Sequence, residues 1–184
     1  MLRFVRSWSA ISRSLPQFAQ ARRPQSRWPL TLERLEDRAM LSTIPLMVNS
    51  LADSGVGTLR FEITVADKGA ITNPTNKYVI TFKQGLIGTI DLTQTALPDL
   101  AANITIKGPG ETSLTVERVS TAPGFSIFTV DSGETVSLSG MTISGGNDFD
   151  GGGIYNHGTL TAKNITFTDN SAIDVNLSTS RIFQ

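Results

Sequence analysis

The chain has 184 residues, no net formal charge and no cysteine, which is enough for one domain with a sizeable core and excludes disulfides and Cys-ligated metals. No run of about 18 apolar residues occurs, so the sequence offers no membrane-spanning helix. Charge is uneven: residues 1–42 hold eight Arg against Glu33, Glu36 and Asp37, or +5, which leaves −5 for the remainder. A basic leader on a mildly acidic body suits an exported protein and argues against a nucleic-acid partner, because a nucleic-acid binder carries its positive charge on the folded part.

Residues 1–42 read as a basic leader and sorting segment. Arg3, Arg6 and Arg13 interleave with Leu2, Phe4, Val5, Trp8, Ile11 and Leu15 without a continuous apolar core, unlike an ordinary signal peptide. A polar stretch containing Pro16, Pro24 and Pro29 follows and is expected to stay disordered. Leu32, Leu35 and Ala39 then fall at helical spacing behind Thr31, a suitable N-cap, so a short helix is expected near 31–40. A short amphipathic helix is the plain reading of these residues. The run Leu32-Glu33-Arg34-Leu35-Glu36-Asp37-Arg38-Ala39-Met40-Leu41-Ser42 also resembles the LEPR-XLL type of N-terminal segment of large bacterial surface and secreted proteins. That resemblance implies a sorting signal and an extracellular or cell-surface destination.

Residues 43–78 read as an N-terminal cap. A strand-like run beginning at Val48 breaks at Asp53-Ser54-Gly55 and Gly57, and a helix near 58–67 is expected from Thr58 as N-cap, Glu62 in the first turn, and Leu59, Ile63 and Ala66 on one face. Laid across the end of a β structure, such a helix covers an apolar floor and free strand edges. The segment Asp53-Ser-Gly-Val-Gly-Thr-Leu-Arg60 resembles the DSGxGSLR-like lead-in of bacterial parallel β-helix proteins.

From 79 to 174 a constant shift of about 24 residues superposes like on like. Phe82, Ile106, Val130 and Ile154 make one apolar column, and Ile90, Leu114, Leu138 and Ala162 another; Thr81, Thr105 and Thr129, and Thr89, Ser113, Ser137 and Thr161, make hydroxyl columns beside them. Thr142 and Ile143 match Thr166 and Phe167. Alternating inward apolar and outward Thr or Ser predicts an all-β fold, a short right-handed parallel β-helix of about four coils. Gly108-Pro109-Gly110, Asp131-Ser132-Gly133, Gly145-Gly146-Asn147 and Asn156-His157-Gly158 supply the turns. An immunoglobulin-like sandwich is the competing all-β reading, but a sandwich has no reason to preserve column identity at a fixed offset.

Gly152-Gly153-Ile154-Tyr155 and Phe167-Thr168-Asp169-Asn170 resemble the paired GGAI-like and FxxN motifs of polymorphic outer-membrane proteins and related pectin-lyase-like β-helices. Residues 175–184 carry no continuing column and read as a tail of a truncated array, with an open last coil suited to end-to-end association.

Candidate sites are few. Asp148 and Asp150, beside Asn147 and Gly151 to Gly153, are candidate oxygen ligands for Ca²⁺, with a solvated loop as the plainer reading. His157, the only histidine, reads as a turn residue. Lys83 and Lys107 share a column at the repeat offset and read as edge charges. No catalytic residue is singled out. The expectation is a non-catalytic structural, adhesive or glycan-contacting surface protein, with polysaccharide or other surface proteins as partners. A polysaccharide lyase or glycoside hydrolase is the alternative, since the pectin-lyase-like fold that the chain resembles hosts both, and a remnant of a longer surface protein is a third reading.

Overall fold

The computed structural model describes residues 42–172. The sorting segment, the helix near 31–40 and the tail at 175–184 lie outside them. In chain order the elements are β1 (Thr43–Val48), α1 (Leu59–Thr72), β2 (Lys77–Phe82), β3 (Gly88–Leu92), β4 (Ile104–Lys107), β5 (Leu114–Arg118), β6 (Phe128–Val130), β7 (Thr135–Ser144), β8 (Asn147–Asp148), β9 (Ile154–Asn156), β10 (Thr159–Thr168) and β11 (Ser171–Ala172). Every strand pairing is parallel. The chain therefore coils as a parallel β-helix of about four turns.

One side stacks β1, β2, β4, the first half of β7 and the first half of β10. A second side stacks β3, β5 and the second halves of β7 and β10. The third is the short pair β6 and β9, extended by a bridge from Leu100 to Val130. The strands alternate, and their inward apolar residues build one shared core, while Met47 of β1 and Phe167 of β10 remain exposed. Leu46, Ile80, Ile106, Leu138 and Ala162 form an inner column on the first side, and Ile90, Val116, Ile143 and Phe167 on the second.

These columns correct the uniform repeat register. Ile80 pairs with Ile106, Ile106 with Leu138 and Leu138 with Ala162, so the step along the chain differs from rung to rung and only the last step equals the predicted repeat. Ile106 thus stacks on Leu138 and not on Val130, Val130 lies beside Leu100 and Asn156, and Ile154 stacks on Phe128. Phe82 pairs with Val48, so the ladder begins at β1, ahead of residue 79. The physical reason is that backbone pairing fixes the distance between rungs, at about 4.8 Å, but leaves the chain length of a corner free. The loop from Val119 to Ile127 is one such added corner.

Where the predicted repeat does hold, the corners themselves stack. Gly140 (φ 66) lies opposite Asn164 (φ 51), and one repeat after Gly145 (φ 72) stands Asp169 (φ 53). All four occupy the left-handed region, which glycine enters freely and Asn and Asp tolerate through local hydrogen bonding. The last turn therefore uses Asn and Asp where the preceding turn uses glycine.

Helix α1 lies in the connection from β1 to β2. Its N-cap Thr58 accepts a hydrogen bond from the Phe61 N–H at 3.3 Å, and Leu59, Ile63 and Ala66 are buried with Val48 and Tyr78 in the same core. It runs on past Asp67 to Thr72, through the β-branched Ile63-Thr64-Val65, where the Thr64 hydroxyl donates to the Arg60 carbonyl at 2.9 Å. Asp53 and Arg60, the ends of the glycine-containing lead-in, form an ion pair, and both also reach the loop 93–96.

Candidate functional site

The first side stacks five strands, and its outward residues follow from strand alternation. Val79, Thr105, Ser137 and Thr161 form one outward column, and Thr81, Lys107, Ser139 and Lys163 the next. A groove of about 420 Å³ crosses these rungs, walled by Lys77, Asn103, Thr105, Thr135, Ser137 and Thr161. The Thr81 and Ser139 hydroxyls are bonded to the carbonyls of Leu46 and Ile106, each at 3.3 Å. The Asn103 amide oxygen accepts from the Thr135 N–H at 3.2 Å, joining two residues of the groove wall.

Four exposed lysines mark this side: Lys77, Lys83, Lys107 and Lys163. The segments that build it, KYVITF, ITIK and TLTAK with the TVSLS half of β7, contain no carboxylate. Lys83 and Lys107 do not share a column: Lys107 pairs with Thr81, and Lys83 lies past the end of β2 with its N–H on the Val48 carbonyl. Lys107 instead shares its column with Lys163, two rungs away, or roughly 10 Å.

On the second side, Thr89, Thr115, Thr142 and Thr166 are stacked in register, a four-deep column of threonines. Asp91, Glu117, Ser144 and Thr168 lie beside it. A fixed repeat hides this column, because its members are unevenly spaced along the chain.

Asp148 ends the short strand β8, and Asp150 sits in the loop after it. Both Asp148 oxygens have protein donors: the Ser126 N–H and hydroxyl lie at 3.2 Å from Oδ2, and the Phe149 N–H at 2.8 Å from Oδ1. Asp150 instead faces Tyr155; burial first, then Asp150 and Asp148, push the Tyr155 phenol up from its ordinary pKa. Tyr155 also packs edge-on against His157, ring centroids 4.1 Å apart. His157 stands in a turn where the Gly158 N–H bonds to the Asn156 side chain. Among the described residues no group of three or more His, Cys, Asp or Glu is gathered closely enough to hold a metal ion. The glycines of this loop have a packing cause: a Cβ at Gly152 would collide with the carbonyls of Ser171 and Gly146.

Two features have no signal at a fixed repeat. The first is an acidic flank in which Asp67 is surrounded by Asp131, Asp99 and Glu134. Burial pushes the Asp67 carboxyl up, the Ala101 N–H at 3.2 Å opposes the shift and the neighbouring carboxylates add to it, which brings the group to about 6. The second is Arg118, whose guanidinium donates to the carbonyls of Gly145, Ala122 and Val119 and lies over the Phe125 ring. It is a clamp for the loop 119–125, not a free surface charge.

No family model matches this chain, and no curated protein or solved structure matches it significantly. No described helix is long and apolar enough to cross a membrane.

Proposed function

We propose that this chain is an exported, non-catalytic surface solenoid that contacts polysaccharide through its hydroxyl-bearing strand faces. The observation that carries the reading is the register of those faces: Thr89, Thr115, Thr142 and Thr166 repeat over four rungs on one side, and Thr105, Ser137 and Thr161 over three on another. Hydroxyls repeated about every 4.8 Å offer a regular row of donors and acceptors to a chain molecule rich in the same groups. Acid–base or nucleophilic chemistry needs titratable groups within reach of one reacting atom, and Asp148, which lines a loop pocket, is already bonded to Ser126 and to the Phe149 N–H. The likeness of residues 32–42 to a LEPR-XLL segment supports the exported destination. The glycine and FxxN motifs support a right-handed, pectin-lyase-like coil.

The test is a binding and turnover screen of the full chain against neutral and acidic polysaccharides, with and without Ca²⁺. Binding with no unsaturated product and no new reducing ends is the expected result. Product release overturns the non-catalytic reading in favour of a lyase or hydrolase, and absence of binding to any polysaccharide overturns the glycan contact.

A further inference from the structure

Two sides of the folded body carry charge of opposite sign, while the β3–β5 side carries both and exposed Lys68 follows Asp67 on α1. The β2–β4–β7–β10 side carries exposed Lys77, Lys83, Lys107 and Lys163, and its strand segments contain no Asp or Glu. The side built on β6 and β9 is the reverse. The bridge from Leu100 to Val130 sets Asp99 beside Thr129 and Ala101 beside Asp131, while Thr129 pairs with Tyr155, which Asp150 faces. Asp67 and Glu134 join Asp99 and Asp131 at its edge, near enough that the three neighbours all raise the Asp67 carboxyl. Among the described residues the one ion pair is Asp53 with Arg60, and none of those residues sets an opposite charge at contact distance from the lysines or from this acidic flank.

We infer that the lysine-bearing side of one copy docks on the acidic β6–β9 flank of a second copy of this chain. The charges complement in sign and in number: four lysines meet Asp99, Asp131, Glu134 and Asp150, with Asp67 behind them. Interfaces of this kind gain rate and register from opposed potentials, and segregated like charges are relieved on contact. The two surfaces lie on different sides of the same coil, so the contact is heterologous and each added copy leaves both surfaces open for the next. Rows or rings result, not a closed symmetric dimer. The inference does not depend on polysaccharide binding.

The experiment is sedimentation of the full chain over a concentration series at low salt and at about 1 M salt, where the screening length falls to about 3 Å. Expected is an apparent mass that grows at least twofold with concentration at low salt and returns to the monomer at high salt. Lys107→Glu with Lys163→Glu, and separately Asp99→Lys with Asp150→Lys, should each abolish the growth, and mixing the two variant chains should restore it. All four positions are exposed, and circular dichroism checks that each variant remains folded. Asp99→Asn with Asp150→Asn is the milder replacement should the lysines disturb folding, and should weaken association at least tenfold. A monomer at every concentration overturns the inference. So does association that survives both reversals, which would assign it to the edge of β10 that no described strand covers, or association that needs the acids and not the lysines, which would assign it to the Arg-rich leader.

Discussion

Arg60 Nη2 lies 2.5 Å from Asp53 Oδ1, and its Nε is 3.0 Å from the same oxygen, across the turn that opens α1. The other Asp53 oxygen accepts from the Thr93 N–H and hydroxyl, while Arg60 donates to the carbonyls of Thr95 and Ala96. One pair thus ties the lead-in, the first turn of the helix and the loop after β3. Removing either partner leaves the other half-buried and short of partners.

Asp53→Ala and Arg60→Ala should therefore each lower stability by about 2 kcal/mol. The double variant should lose less than the sum of the two, because the second deletion removes a group already stranded by the first. Urea melts of the four proteins measure this directly; additive losses would mean that the ion pair does not couple the segments.

The left-handed corners set two substitutions at one position apart. Asn164→Ala puts an ordinary side chain at φ 51 and should cost about 1 kcal/mol, whereas Asn164→Gly should be close to neutral, as glycine already serves at Gly140 in the turn before. Thermal melts of the two variants should separate clearly. Equal losses would place the role of Asn164 in its amide and not in its backbone.

Asn170 accepts from the Gly146 N–H at 2.9 Å and donates to the Ile143 carbonyl at 2.8 Å, holding the last turn to the one before it. Asn170→Ala should cost about 1 to 2 kcal/mol and do so locally. Amide exchange at Gly146 and Ser171 should accelerate at least tenfold, with exchange at Ile80 and Ile106 unchanged; uniform acceleration would mean that the turns open together.

Asp67 sets a pH dependence. Its folded pKa of about 6 lies above the ordinary 3.8, so the folded state binds this proton more tightly than the unfolded chain. The favourable contribution is full below pH 3.8 and is lost as pH rises through about 6. Asp67→Asn should abolish that slope, making the variant more stable than the parent near pH 7 by about 1 kcal/mol once solvent screening is allowed for. Denaturation of both proteins at several pH values between about 4 and 8 checks the sign; a parent that gains stability relative to the variant on going to pH 7 would refute it.

The sequence made the alternation of the strands legible, and with it the coil, because inward apolar and outward hydroxyl residues obey the same period of two in every rung. It also disclosed the start of α1, since a threonine ahead of an acidic first turn has a direct capping role. The register was legible only in the last turn, where Ile143 and Phe167 do stack. Earlier turns hide it because strand pairing constrains rungs and not corners, so Ile106 finds Leu138 past a loop, 119–127, that a fixed repeat does not anticipate. Lys83 and Lys107 were brought together by that false period. The acidic flank was invisible for the same cause: Asp67, Asp99 and Asp131 come from a helix and two loops that only the true register brings side by side.

Among the described residues β10 pairs with β7 and with no other strand, which has a mechanical consequence. Tension applied beyond Ala172 would load β11 on β8 and then β10 on β7, and once β9 also parted from β6 the turn from Gly145 to Thr168 would be free while every earlier rung kept its own neighbours. Each such event lengthens the chain by about 80 Å at full extension. Under force the molecule would unreel in discrete lengths, the later ones longer as the larger corners came free, like a spring whose turns let go singly from one end.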